Sequence, residues 1–78
     1  LEVKKVISRI TGKPVATIGD DESLTDDLHL NGLQVRALGV PFTNIARKFK
    51  PGAVITSDEC EDCDTVEDCT NLVVGETN

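Results

Sequence analysis

The sequence predicts an all-α domain: a small bundle of three main helices and one short helix, with a long ordered loop after the first. Three observations predict it. Aliphatic residues recur at spacings of three and four in two stretches, residues 3–10 and 33–49. Two polar phrases, Thr56-Ser57-Asp58-Glu59 and Thr65-Val66-Glu67-Asp68, each place a hydroxyl three residues before an acid, the pattern that opens a helix. Finally, two Phe and no Trp, Tyr or Met leave Val, Ile, Leu and Ala to fill the interior, as small helical bundles do.

In the first helix Val3, Val6, Ile7 and Ile10 form an apolar stripe, with Lys4, Lys5, Ser8 and Arg9 on the other side. Gly12 ends it and Pro14 keeps it ended. Residues 13–30 lack a sustained helical period, yet Val15, Ile18, Leu24, Leu28 and Leu30 are too many for a free linker. They predict a loop packed over the bundle.

Asn31 is placed to cap the second helix, whose apolar residues are Leu33, Ala37, Leu38, Phe42, Ile45, Ala46 and Phe49. Gly39 and Pro41 interrupt it. A proline inside a helix costs about 3 kcal/mol, so a kink or break is expected at residues 38–41, with Pro41 opening the second piece if it breaks. Pro51-Gly52 makes a turn, a short acidic helix follows Thr56, and the last helix carries Val66, Cys69 and Val73 on one face, with Gly75 closing it.

The 78 residues read as one domain, 1–78, and a chain of this size buries only about 60% of its unfolded surface, leaving little room for a cleft. Its charge is divided. Residues 1–50 hold all eight bases against six acids, a net of +2, and residues 51–78 hold eight acids and no base. The acidic third repels phosphate backbones and anionic membranes, which argues against nucleic-acid and membrane partners. A basic protein surface is its complement; simple solubility is the competing reading. No stretch approaches the roughly 20 apolar residues that span a bilayer, and a cytoplasmic setting is the default expectation.

The order and spacing of these pieces resemble the acyl carrier protein family over residues 3–74. Residues 3–10 look like its first helix, Asp21-Glu22-Ser23-Leu24-Thr25-Asp26-Asp27-Leu28 is similar to its loop phrase, and Ala53-Val54-Ile55, Asp58-Glu59 and Thr65-Val66 are similar to its third and fourth elements. The family's attachment motif, Leu-Gly-x-Asp-Ser-Leu at the start of the second helix, falls on Leu28-His29-Leu30-Asn31-Gly32-Leu33. The resemblance implies a serine that carries phosphopantetheine as a phosphodiester. Gly32 has no side chain to carry it, so no cofactor is expected there. His29 stands in place of the family's glycine and Asn31 in place of its acid, a pattern of natural divergence rather than a single engineered block.

About three extra residues around Gly39-Val40-Pro41, and Arg36, Arg47 and Lys48 where the family is usually acidic, set the second helix apart. These bases, with Glu59, Glu61 and Asp62 of the acidic third, are the candidate contacts to protein partners, which the resemblance implies are biosynthetic enzymes of fatty-acid or polyketide type.

Other readings compete. Ser23, Thr25 or Thr43 could replace the missing hydroxyl, though the first two read as turn residues and the third as a helix-face residue. Cys60, Cys63 and Cys69 invite a metal-stabilised module, but a tetrahedral zinc site needs four ligands and only His29, far off in sequence, could add an imidazole. The plainer reading makes Cys69 a core residue and Cys60 and Cys63 surface or loop thiols, with a disulfide between two of the three left open. His29 has no nucleophile or paired carboxylate near it in a recognisable motif and reads as a loop side chain, while Asp20, Asp21, Asp26 and Asp27 lack calcium-loop spacing. The expectation is therefore a non-catalytic, carrier-like domain that works by binding proteins.

Overall fold

The computed structural model describes residues 2–78. Its elements are α1 (Val3–Thr11), α2 (Gly32–Ala37), α3 (Gly39–Arg47), α4 (Ser57–Glu61) and α5 (Val66–Thr77), with a 3-10 turn at Val15–Thr17. No strand forms among the described residues; one isolated antiparallel bridge pairs Ser23 with Thr65. The expected all-α bundle is what forms.

Helix α1 is too short to persist alone. It buries Val3, Val6 and Ile7 against the bundle, while Ile10 sits at the rim, 37% exposed. Gly12 takes the left-handed conformation (φ 77°), and its N–H closes the helix on the Ser8 carbonyl at 2.8 Å.

The second helix breaks, and does so at Leu38. Its N–H turns back to Val35 at 3.1 Å, and the Phe42 N–H then bonds the Leu38 carbonyl at 3.0 Å to start α3. The new helix begins at Gly39 rather than at Pro41. Pro41 still lies in its first turn, where the missing N–H would have no helical partner anyway. Gly39 is buried, and a Cβ there would lie 3.1 Å from the Ile55 carbonyl oxygen, so glycine lets α3 start against the Ile55–Ser57 backbone.

The buried face of this pair is Val35, Leu38, Phe42, Ile45 and Ala46. That corrects the expected stripe: Leu33 is 80% and Phe49 64% exposed, and Ala37 is exposed too. The break rotates α2 relative to α3, so one unbroken period over residues 33–49 misplaces both ends.

The long loop is ordered as expected. Ile18, Leu24, Leu28 and Leu30 are buried, whereas Val15 projects from the 3-10 turn, 41% exposed. The loop is fastened to the α4–α5 junction: the N–H groups of Leu24, Val66 and Glu67 donate to the carbonyls of Asp64, Glu22 and Asp20 at 2.9, 3.1 and 2.9 Å. Both predicted capping boxes form, Thr56 with Glu59 and Thr65 with Asp68. Gly75 does not close α5, which runs on to Thr77; a glycine inside a helix costs only about 1 kcal/mol.

Helix α2 packs on α4, and α5 packs on α3 and α1. Phe42, Ile7, Leu24 and Leu38 are the largest side chains fully enclosed, together with Val66, Val73, Cys60 and Cys69. Among the described residues no polar or charged side chain is buried.

Candidate functional site

The start of α2 is built by the loop that precedes it. Leu28 and Leu30 point into the core, and their N–H groups bond the carbonyls of Ser23 and Leu24 at 3.0 and 2.9 Å. Between these anchors the backbone must turn, and His29 does so at φ 59°, the one positive φ outside glycine among the described residues. Its ring is exposed. A left-handed residue with a Cβ is strained by roughly 1–2 kcal/mol. The resemblance carried a signal for this that local patterning did not, because it aligns His29 with a glycine.

Asn31 then caps α2 as expected. Its Oδ1 accepts from the Gln34 N–H at 2.8 Å, and Gln34 Oε1 accepts from the Asn31 N–H at 2.9 Å, a full capping box. Gly32 follows as the first helical residue. It is exposed, its φ is not positive, and a Cβ there would meet nothing within 4 Å. Glycine is therefore not required at this position by the backbone or by packing. Gly32 also offers no atom to which a phosphodiester could be made.

Gly32 lies at one edge of a groove of about 340 Å³ that it shares with Thr25, Val35, Glu61, Cys63 and Asp64. Of the three hydroxyls considered as replacements, Thr25 is the one in this groove. Ser23 Oγ accepts from the Asp26 N–H at 3.1 Å in a tight turn. Thr43 is more than a helix-face residue: its Oγ1 donates to the Ile55 carbonyl at 3.1 Å and accepts from the Ile55 N–H at 2.9 Å. No local sequence signal announces that clasp, since its partner lies beyond a turn.

The candidate partner contacts are largely engaged within the chain. Arg36 reaches across from α2 to α4, 2.8 Å from Glu61 and 3.1 Å from Asp58, and hydrogen bonds to these two carboxylates raise its pKa. Arg47 donates through Nε to the Ala53 carbonyl at 2.9 Å, and Lys48 pairs with Glu2. Glu59 closes the α4 capping box, and Asp62 lies exposed just past that helix. These bases and acids thus hold α2 to α4, α3 to the following segment, and α3 to α1, whatever else they contact.

The cysteines depart from expectation in one respect. Cys69 is buried as foreseen, but Cys60 is fully buried too, because it occupies the inward side of α4 beneath the capping box. Cys63 is half-buried. Among the described residues no three His, Cys, Asp or Glu side chains are grouped to hold a metal ion.

A curated acyl carrier protein of Thermobifida fusca (strain YX) is 30% identical over 69 residues, which cover 88% of this chain and 81% of that protein. The chain belongs to the acyl carrier protein family. No family model matches it, and no solved structure does. Membership accounts for the fold already described: an all-α bundle whose long loop delivers the chain to the start of α2. No helix among the described residues is long and apolar enough to cross a membrane.

Proposed function

We propose that this chain is an acyl-carrier-like domain that does not take phosphopantetheine at the usual position and works as a non-catalytic protein-binding module for enzymes of fatty-acid or polyketide type. The observation that carries the reading is Gly32. The family motif falls on residues 28–33 and asks for a serine hydroxyl at the second-helix start, and this chain has a glycine there that neither packing nor backbone demands. The drift at His29 and Asn31, and the basic residues of α2 and α3, support loss of the carrier task rather than of one atom. With no cofactor to present, the domain's surface is what remains to act, in a soluble, cytoplasmic setting, on proteins rather than on nucleic acid or membrane.

Thr25 favours a second reading, a working carrier with a displaced attachment point, because it lines the same groove as Gly32. One experiment separates the two. The protein is incubated with coenzyme A and a broad-specificity phosphopantetheinyl transferase, and its intact mass is measured. The proposal expects no gain; a gain of the phosphopantetheine mass overturns it, and loss of that gain in Thr25→Ala would support the second reading. Gly32→Ser is expected to fold as the parent does, and its modification would show that the scaffold is still read by the transferase.

A further inference from the structure

Two grooves away from Gly32 have no part in the carrier reading, and they differ in charge. The first, of about 380 Å³, lies where α1 meets the end of α3 and is lined by Glu2, Lys5, Ile45, Lys48 and Phe49. Phe49 stands 64% exposed at its edge. Lys48 pairs with Glu2, whereas Lys5 and Arg9, exposed one turn apart on α1, form no ion pair among the described residues. This face presents an aromatic ring among cations that outnumber the acid beside them. The second groove, of about 490 Å³, lies between α4 and α5. Leu72 and Cys63, both packed against the core, make its floor, and Glu59, Asp62 and Asp68 line it with carboxylates. None of its lining residues is basic, and it shares no residue with the first groove.

We propose that the acidic groove of one copy of this chain receives the Phe49 face of a second copy, the ring on Leu72 and Lys5 and Lys48 against the carboxylates. Charge complementarity selects this occupant: one face offers an aromatic side chain with cations, the other an aliphatic floor with acids and no base. An aromatic desolvated at the centre of a contact carries much of its energy, and the charges around it fix register and partner. The contact is heterologous. Each copy uses one face and keeps the other, so copies add head to tail, as an open chain or a closed ring, and do not stop at a two-fold dimer. The net charge of −6 opposes association and keeps it weak. At about 0.1 M salt, however, the screening length of about 10 Å is shorter than the 18 Å narrowest extent of the domain. Repulsion between whole copies is then largely screened, and pairs in contact are screened much less.

The test follows the full chain by sedimentation equilibrium from micromolar to millimolar concentration in about 0.1 M salt. The mean mass should climb with concentration without levelling at a dimer, and association should be about tenfold weaker in about 1 M salt. Phe49→Asp breaks the first face and Asp62→Lys the second; both residues are exposed, so each variant should keep the parent's circular dichroism. Each alone should stay monomeric. Mixed, they should form a one-to-one dimer and nothing larger, because only one intact face of each kind remains. Asp26→Lys makes the same change of charge at an exposed loop residue that lines neither groove, and it should associate at least as well as the parent. A dimer plateau in the parent, no pairing in the mixture, or the same loss in Asp26→Lys would each overturn the head-to-tail contact. A parent that stays monomeric throughout overturns self-docking, and its capture of a polyglutamate probe would then make a different acidic chain the occupant. None of these readouts depends on whether position 32 can be modified.

Discussion

The hydroxyl of Thr43 satisfies both backbone polar groups of Ile55, accepting from its N–H at 2.9 Å and donating to its carbonyl at 3.1 Å. One side chain on α3 therefore does for the segment before α4 what a neighbouring strand would otherwise do, and it fixes Ala53 and Ile55 inward with Val54 outward. Thr43→Val keeps the shape and leaves both Ile55 groups unpartnered. It is expected to cost about 1–3 kcal/mol in urea unfolding, and Thr43→Ser, which keeps the hydroxyl, clearly less. Equal losses would mean that the methyl group, not the hydroxyl, holds the segment.

His29 at φ 59° is strained where a glycine would not be. His29→Gly removes the strain but admits more freedom to the unfolded chain, so the net gain should be roughly 0.5–1 kcal/mol. Thermal unfolding with unchanged helical circular dichroism checks it. His29→Val, β-branched in the same conformation, should destabilise.

Asp68 closes the α5 capping box, its Oδ2 accepting from the N–H groups of Asp64 and Thr65 at 3.0 and 3.1 Å. Those backbone donors hold its pKa below the ordinary carboxylate value. The folded state thus resists protonation of Asp68. The stability this gives is complete above the ordinary value of about 3.9 and is lost as pH falls through the lower folded value. Melting curves of the parent and Asp68→Asn should therefore differ at neutral pH and converge in strong acid. A constant gap across that range would show that the charge is immaterial.

Phe42, fully enclosed between the bundle's helices, is the one buried aromatic among the described residues. Phe42→Ala should cost about 3–5 kcal/mol, a large share of the 5–15 kcal/mol typical of a whole domain. Phe49, 64% exposed, should tolerate the same change with little loss. Parallel urea titrations of the two variants test the assignment of core and surface between residues that the sequence pattern treats alike.

Much of the fold is legible because its signals are local. Gly12 needs only its own lack of a Cβ, and Asn31, Thr56 and Thr65 each find the cap partner three residues on. The face of α2 was not legible, because the turn at Leu38 that rotates it depends on Gly39 meeting the distant Ile55–Ser57 backbone. Burial of Cys60 was missed for a similar reason: α4 is too short to show a period, and only its seat beside α2 decides which side faces in. At the candidate site, composition could register the missing hydroxyl of Gly32, but not the groove joining it to Thr25 and Cys63, which three separate segments assemble.

The fastening of the long loop to the α4–α5 junction has a consequence for how the molecule comes into being. Leu24 can bond Asp64, and Glu22 and Asp20 can receive Val66 and Glu67, only after residues 64–67 have been made. Until then the Leu24 amide and the Glu22 and Asp20 carbonyls have water as their partner, and Leu24 and Leu28 have only part of their eventual surroundings. On a ribosome the loop therefore closes late, when residues 64–67 emerge, and not as residues 13–30 are made.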